Sequence, residues 1–266
     1  MNDHFDNVAT AFSRKALVYD AFDDININLQ RMRRKVYDHF TRFAPAGGHV
    51  LELNAGTGLD ASVLVQRGYR VHATDIAPGM LAKIEQKAAE HKLQERLTVQ
   101  ACSFTELQQV TVGPFDAIFS NSGGLNCIAD LTAVTRHLPS LLNPGSTITW
   151  VIMPPIYPWE LALTLKDWRV GTRRLRPGGV MAHVEGVYFK TYYFTPRQVR
   201  HAFGPQFRQL DLEGLSIITP PADNYTFAQN HPRLYRQLAQ LDDRLAHWPV
   251  LRGWGDFFIL TMRYEP

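Results

Sequence analysis

The sequence predicts an α/β fold, an open and mostly parallel sheet with helices on both faces. Three observations carry that prediction. Between His49 and Met153, short apolar runs alternate with helical stretches. The loop after the first run is rich in glycine, and the second run ends on an acid. Strands that alternate with helices build parallel sheets through right-handed crossovers.

Each element has its own justification. "HVLELN" is a short apolar run, followed by the helical "LDASVLVQRG" with Gly68 as its C-cap. "YRVHATD" reads as a strand, "PGMLAKIEQKAAEH" as a helix with Pro78 in its first turn, and "RLTVQAC" as a strand. "FDAIFSN" is a fourth strand. "ADLTAVTRHLPSLL" reads as a helix stopped by Asn143-Pro144-Gly145, and "STITWVIM" as a fifth strand.

Beyond Met153 the rhythm changes. "PPIYPWELALTLKDWRV" reads helical after its prolines, and "VMAHVEGVYFKTYYF" reads as a hairpin or a long strand. Thr195 and Pro196 begin a helix in "TPRQVRHAF". "FRQLDLEGLSII" and "GDFFILTMRYE" bring the strands of the main sheet to seven, with a helix around "HPRLYRQLAQLDDRLAHW" between them. With no repeat or flexible linker, one domain over 1–266 is expected. Its parts are a helical cover (1–45), a core (48–153), an inserted α/β cap (154–200) and a C-terminal part of the sheet (201–266).

Composition narrows the function. The formal net charge is only +3 and no long run of like charges occurs, which argues against a nucleic-acid partner. Two cysteines, Cys102 and Cys127, without a Cys/His cluster argue against structural zinc or a disulfide framework, so no metal is expected. The polar start and the lack of a long apolar run point to a cytoplasmic protein without a membrane partner.

In "VLELNAGTG" the residues Gly56 and Gly58 let the chain turn sharply and let a ligand lie against bare backbone. Asn54 is the non-glycine residue best suited to a positive φ. The dinucleotide fingerprint G-x-G-x-x-G fails at Ala61, and no phosphate loop is present. Asp75 lies 23 residues beyond Glu52, near the roughly 20-residue spacing at which an acid reaches ribose hydroxyls. A helix-capping aspartate is the alternative reading for Asp75 taken alone, and a tight turn is the alternative for the glycines.

Taken together, these segments resemble the class I S-adenosylmethionine-dependent methyltransferases, in particular those acting on small molecules. "VLELNAGTG", "ATDIAPGML", "GPFDAIFSN" and "LPSLLNPGSTITWVIM" are similar, in order, to four of that family's motifs. The resemblance implies a Rossmann-like fold and S-adenosyl-L-methionine as cofactor, with S-adenosyl-L-homocysteine as product. It implies that Glu52 closes the loop near the cofactor amino group, with Asn54, Ala55, Gly56 and Gly58 forming the loop. Asp75 would bind ribose, Ile76 and Met80 would flank adenine, and Ser120 and Asn121 would meet the amino-acid end. The usual Gly-Asp after the third strand appears as Ala101-Cys102, followed by Ser103 and Phe104. Ser103 or a backbone carbonyl is expected to replace the family's contact to the adenine amine. Tyr19, in a tyrosine-aspartate pair ahead of the core, is expected to close over the cofactor.

The acceptor, a small organic molecule methylated on O, N or C, is expected between the N-terminal helices and the insertion. Trp159, Arg173 and Arg174 are candidates for binding it, and Glu160, His183 and Tyr193 for acting on it. For His183 a packing or surface role is the alternative, and for the arginines a solvated basic turn. Arg31, Arg33 and Arg34 are expected on a solvated helix face. Non-methylating chemistry on the same cofactor, or a silent binding module, are the competing functions. Neither the acceptor nor the oligomeric state is legible in the sequence.

Overall fold

The computed structural model describes residues 3–266. In chain order the helices α1 (Asp3–Lys15), α2 (Tyr19–Ile25) and α3 (Ile27–Phe43) precede β1 (His49–Leu53). The core continues with α4 (Leu59–Gln66), β2 (Arg70–Asp75), α5 (Pro78–Glu90), β3 (Leu97–Ala101) and β4 (Phe115–Ser120). Then come α6 (Thr132–Thr135), β5 (Leu142–Ile152), α7 (Pro158–Ala162) and α8 (Trp168–Gly171). The chain closes with the hairpin β6 (Val180–Val184) and β7 (Val187–Thr191), then α9 (Pro196–Phe203), β8 (Phe207–Leu215), α10 (Tyr225–Asn230), α11 (Pro232–Leu245) and β9 (Phe257–Tyr264).

Seven strands form one sheet in the order β3-β2-β1-β4-β5-β9-β8. The first five are parallel, and β9 runs antiparallel to both β5 and β8. Successive side chains of a strand leave on opposite faces. Val50, Ala117, Phe119 and Val151 therefore join one apolar cluster, while Leu51, Ile118, Trp150 and Ile152 join the other. Both faces are covered, which is why these strands read as continuous apolar runs.

The cover is not confined to the end of the sheet. Met32, Val36 and Phe40 of α3 pack into a face cluster, where Phe40 meets Phe119 at 5.0 Å and Tyr69 at 5.4 Å. Burying a side chain such as Phe40 contributes about 1.5–3 kcal/mol, so α3 belongs to the helical layer of the sheet. The first helix, α1, instead spans the carboxyl edge, with Phe12 against Phe189 of β7 at 5.8 Å.

Two helical expectations are corrected. "ADLTAVTRHLPSLL" gives only α6 and a 3-10 turn at Leu138–Leu141, because Pro139 lacks the N–H that a longer helix needs there. Asn143-Pro144-Gly145 lies inside the irregular start of β5, where register shifts between Phe115 and Ala117. "PPIYPWELALTLKDWRV" breaks into α7, a 3-10 turn at Leu163–Leu165 and α8, with Asp167 accepting from the Arg169 N–H to begin α8. The hairpin turns on Glu185 and Gly186, both at positive φ, and Thr195 and Gln198 form a capping box on α9. Among the described residues, no helix is long and apolar enough to cross a membrane.

Candidate functional site

The strand order reverses between β1 and β4, and the crevice beyond the carboxyl ends of such a pair is where open α/β sheets bind ligands. Asn54 follows β1 with φ 47°, and Asn121 follows β4. The Asn54 amide donates to the Asn121 carbonyl (3.3 Å), and Ser120 Oγ donates to Asn54 Oδ1 (2.8 Å). A Cβ on Gly124 would overlap the Asn54 amide. The glycine that the loop lacks at position 54 is thus matched by one at position 124, which gives the amide its space. Gly56, at φ 58°, has nothing within 4 Å of where a Cβ would stand, so its backbone faces open space.

That space is a cavity of about 720 Å³. Asn54, Gly56, Asp75 and Asn121 line it, together with Ile76, Met80, Cys102 and Phe104. Tyr19 reaches it from α2. Asp75 is buried and accepts from the N–H groups of Gly56 and Ala77, both at 2.9 Å. Burial raises its pKa while these backbone donors oppose the rise. A carboxylate has about four acceptor positions, so two remain for a diol. Burial also pushes the Cys102 thiol up to about 11 and Cys127 up to about 12, so neither cysteine is a thiolate nucleophile.

Several expected contacts lie behind the wall. Ala55, Gly58, Glu52, Ser103 and Ser120 do not line this cavity. The Ser103 hydroxyl meets Thr105 Oγ1 at 2.8 Å and accepts from the Thr105 N–H at 3.2 Å. Glu52 is buried beneath the loop, and its Oε2 has no hydrogen-bond partner. Burial, with Asp60 and Asp75 nearby, drives its pKa well up against the opposing pull of Arg33.

A second chamber of about 660 Å³ adjoins the first, and Tyr19, Asn121, Ser122, Met153, Arg173 and Tyr193 line both. Trp159 lines only the second, edge-on to Phe227 at 5.5 Å. Glu160 is corrected here: it is buried and grips the Nε atoms of both Arg173 and Arg174. Arg174 is also spent, because its Nη2 meets Asp256 Oδ1 at 2.7 Å and its guanidinium lies over the rings of Tyr157 and Tyr193. Both therefore build the chamber wall rather than offering free charge. Arg173 is half exposed, and its terminal nitrogens make no bond to any described residue. His183 is exposed and stacked on Tyr188, on the hairpin face opposite Phe189, so it touches the first cavity only at its mouth. Burial raises the Tyr193 pKa, which keeps its phenol protonated and a donor.

Arg33 is not on a solvated face. It is buried and donates to Asp23 Oδ1 (2.7 Å) and Asp60 Oδ1 (2.5 Å). Asp60 also accepts from the Tyr37 hydroxyl and from Asn121 Nδ2 at 2.9 Å. The sequence did carry a signal for this: Arg33 and Tyr37 stand four residues apart, directly beside the apolar stripe Met32, Val36 and Phe40. Asp223, which lines both chambers and has no ionic partner among the described residues, carried no signal at all.

Residues 50–145 match a family described as a methyltransferase domain. The core is thus similar to methyltransferase domains. The chain is 27% identical, over 202 residues, to a malonyl-[acyl-carrier protein] O-methyltransferase of Halorhodospira halophila. That match covers 68% of this chain and 64% of the relative, so the chain spans less than two thirds of its length. Among solved structures, the 1,6-didemethyltoxoflavin-N1-methyltransferase of Burkholderia thailandensis, with 1,6-didemethyltoxoflavin and S-adenosylhomocysteine bound, superposes with a TM-score of 0.55. It is 16% identical, and the match covers 100% of this chain and 92% of that one. The [4+2]-cyclase SpnF superposes at 0.56 and is also 16% identical, with 88% of this chain and 80% of that one covered. At such identities these two neighbours share the fold.

Proposed function

We propose that the protein transfers a methyl group from S-adenosyl-L-methionine to a small organic molecule. The observation that carries this reading is the pair of adjoining chambers, which share Asn121, Ser122 and Tyr193 at their common wall. Two ligands seated on either side of that wall meet there, as a two-substrate transfer requires. A cyclase shares the fold, so the chemistry has to be argued from the site.

The residues present fit the cofactor. Gly56 leaves open backbone where a ligand can lie, and Asp75 keeps two acceptor positions for ribose hydroxyls. Ile76, Met80, Cys102 and Phe104 offer an apolar slot for a flat base. The Asn121 carbonyl and Asn54 close the amino-acid end. When bound, the cofactor supplies an electrophilic methyl on a sulfonium with a good leaving group.

The protein's share is positioning and exclusion of water. Val8 and Phe12 of α1 close the first chamber over Phe189 and Val184 of the hairpin. A displacement in this sheltered space needs near-attack geometry more than a strong base. Tyr193 donates at the shared wall, and Arg173 turns an unpartnered guanidinium end toward both chambers. His183 stands exposed on Tyr188 and takes no part in the shared wall.

The test is incubation with methyl-labelled S-adenosyl-L-methionine and a metabolite extract, followed by mass spectrometry of labelled products. Labelled product with stoichiometric S-adenosylhomocysteine is expected. Cofactor binding by calorimetry without any label transfer would replace methyl transfer by non-methylating use of the same cofactor.

A further inference from the structure

The segment from Leu163 to Arg176 is a blunt tip made of single turns. Leu165 on it is 95% exposed, Trp168 65% and Leu175 49%. Five basic residues and one acid occupy these fourteen positions. Arg174 is consumed in the wall by Glu160 and Asp256, and Arg173 is tied to Glu160 through its Nε alone. Lys166, Arg169 and Arg176 stay exposed and have no carboxylate partner among the described residues. The single acid, Asp167, is held by the Arg169 backbone N–H at 2.9 Å. Arg169 lies over the Trp168 ring at 5.9 Å, and the Arg176 guanidinium donates to the Arg169 carbonyl at 3.1 Å, so cations and apolar tip are gathered together.

We infer that this tip docks the protein on an anionic lipid surface, with Leu165 and Trp168 entering the headgroup layer and Lys166, Arg169 and Arg176 against its phosphates. Apolar side chains ringed by Lys and Arg are the composition of interfacial anchors. The long basic stems lie along the apolar boundary while their charges stay in the headgroup layer. The shape favours lipid over protein. A stable protein interface needs about 800 Å² of complementary surface per partner, which a tip of single turns does not present. A bilayer accepts a few exposed side chains on short turns.

The tip is continuous with the second chamber, since Leu163 is both exposed and part of the chamber lining. Resting on the acceptor reading of that chamber, the inference makes the acceptor a lipophilic molecule that passes from the bilayer past Leu163. The docking itself does not depend on methyl transfer.

Full-length protein is sedimented with vesicles of phosphatidylcholine alone and of phosphatidylcholine with an equal part of phosphatidylglycerol. Pelleting is expected with the anionic vesicles only, and it weakens as salt is raised. The combined change Lys166→Gln, Arg169→Gln and Arg176→Gln lowers partitioning by on the order of a hundredfold. Leu165→Ser with Trp168→Ser lowers it by on the order of tenfold or more. All five side chains are exposed, so circular-dichroism melts of these variants match the parent. Equal pelleting with both vesicle types, no pelleting with either, or variants that pellet like the parent would overturn the inference. So would binding of a small acidic protein at this tip without vesicle pelleting. Pelleting is read without turnover, so a protein that fails to methylate but still pellets separates this inference from the proposed activity.

Discussion

Arg33 Nη1 stands 2.5 Å from Asp60 Oδ1, both side chains buried, and this ion pair ties α3 to the first turn of α4. Through Asp60 it also reaches Asn121, whose amide donates at 2.9 Å. A helix outside the alternating core is thereby fastened to the loops on both sides of the switch point.

Breaking one partner of such a pair leaves a buried charge uncompensated. Asp60→Ala is expected to cost about 3–5 kcal/mol of stability. Adding Arg33→Met to it should recover part of that loss, because the second change removes the stranded cation. Urea unfolding of both single variants and the double variant measures the coupling, and simple additivity would mean the pair is not coupled.

Asp75→Ala is expected to weaken S-adenosylhomocysteine binding by about 1.5–3 kcal/mol, the range for hydrogen bonds to a charged group. The residue ends β2 at the cavity wall, so the variant should keep the parent's circular-dichroism spectrum. Calorimetry decides it: unchanged affinity in a folded variant would reduce Asp75 to the cap on Ala77 that it also is.

Gly124→Ala places a methyl group in the space taken by the Asn54 amide. Overpacking of this kind costs about 1–3 kcal/mol, and here it also displaces the loop that faces the cofactor. Asn54→Gly in the same chain removes the obstructing amide and should restore cofactor affinity. A double variant as weak as Gly124→Ala alone would show that the two positions do not trade space.

Glu213 in β8 gives a pH prediction. Burial opposes its ionisation, yet the hydrogen bond from His39 at 2.8 Å and the charge of Lys35 at 3.2 Å hold its pKa at about 2. An unfolded glutamate titrates near about 4.3, so the folded chain keeps this carboxylate charged longer. The stabilisation, on the order of 2–3 kcal/mol, is complete above the unfolded value and disappears as pH falls toward 2. Thermal melts of the parent should drop steeply across that window, and Glu213→Gln should flatten the drop while lowering stability at neutral pH.

The sequence by itself determined the alternating core, because strand and helix periods, glycines and prolines act locally. It placed Gly56 and Asp75 just past or at the carboxyl ends of strands, and Asn54 at a positive φ, from residue type and spacing alone. Only the tertiary structure decided which charges are spent. Glu160 and Arg174 look free in the chain, yet folding brings Asp256 from the far end of the sequence to pair with Arg174 beside Glu160. Arg33 looks solvated, yet Asp60 and Asp23 reach it inside the layer that Phe40 anchors. Burial and pairing depend on segments distant in sequence, and an ion pair across such a distance leaves no periodic trace.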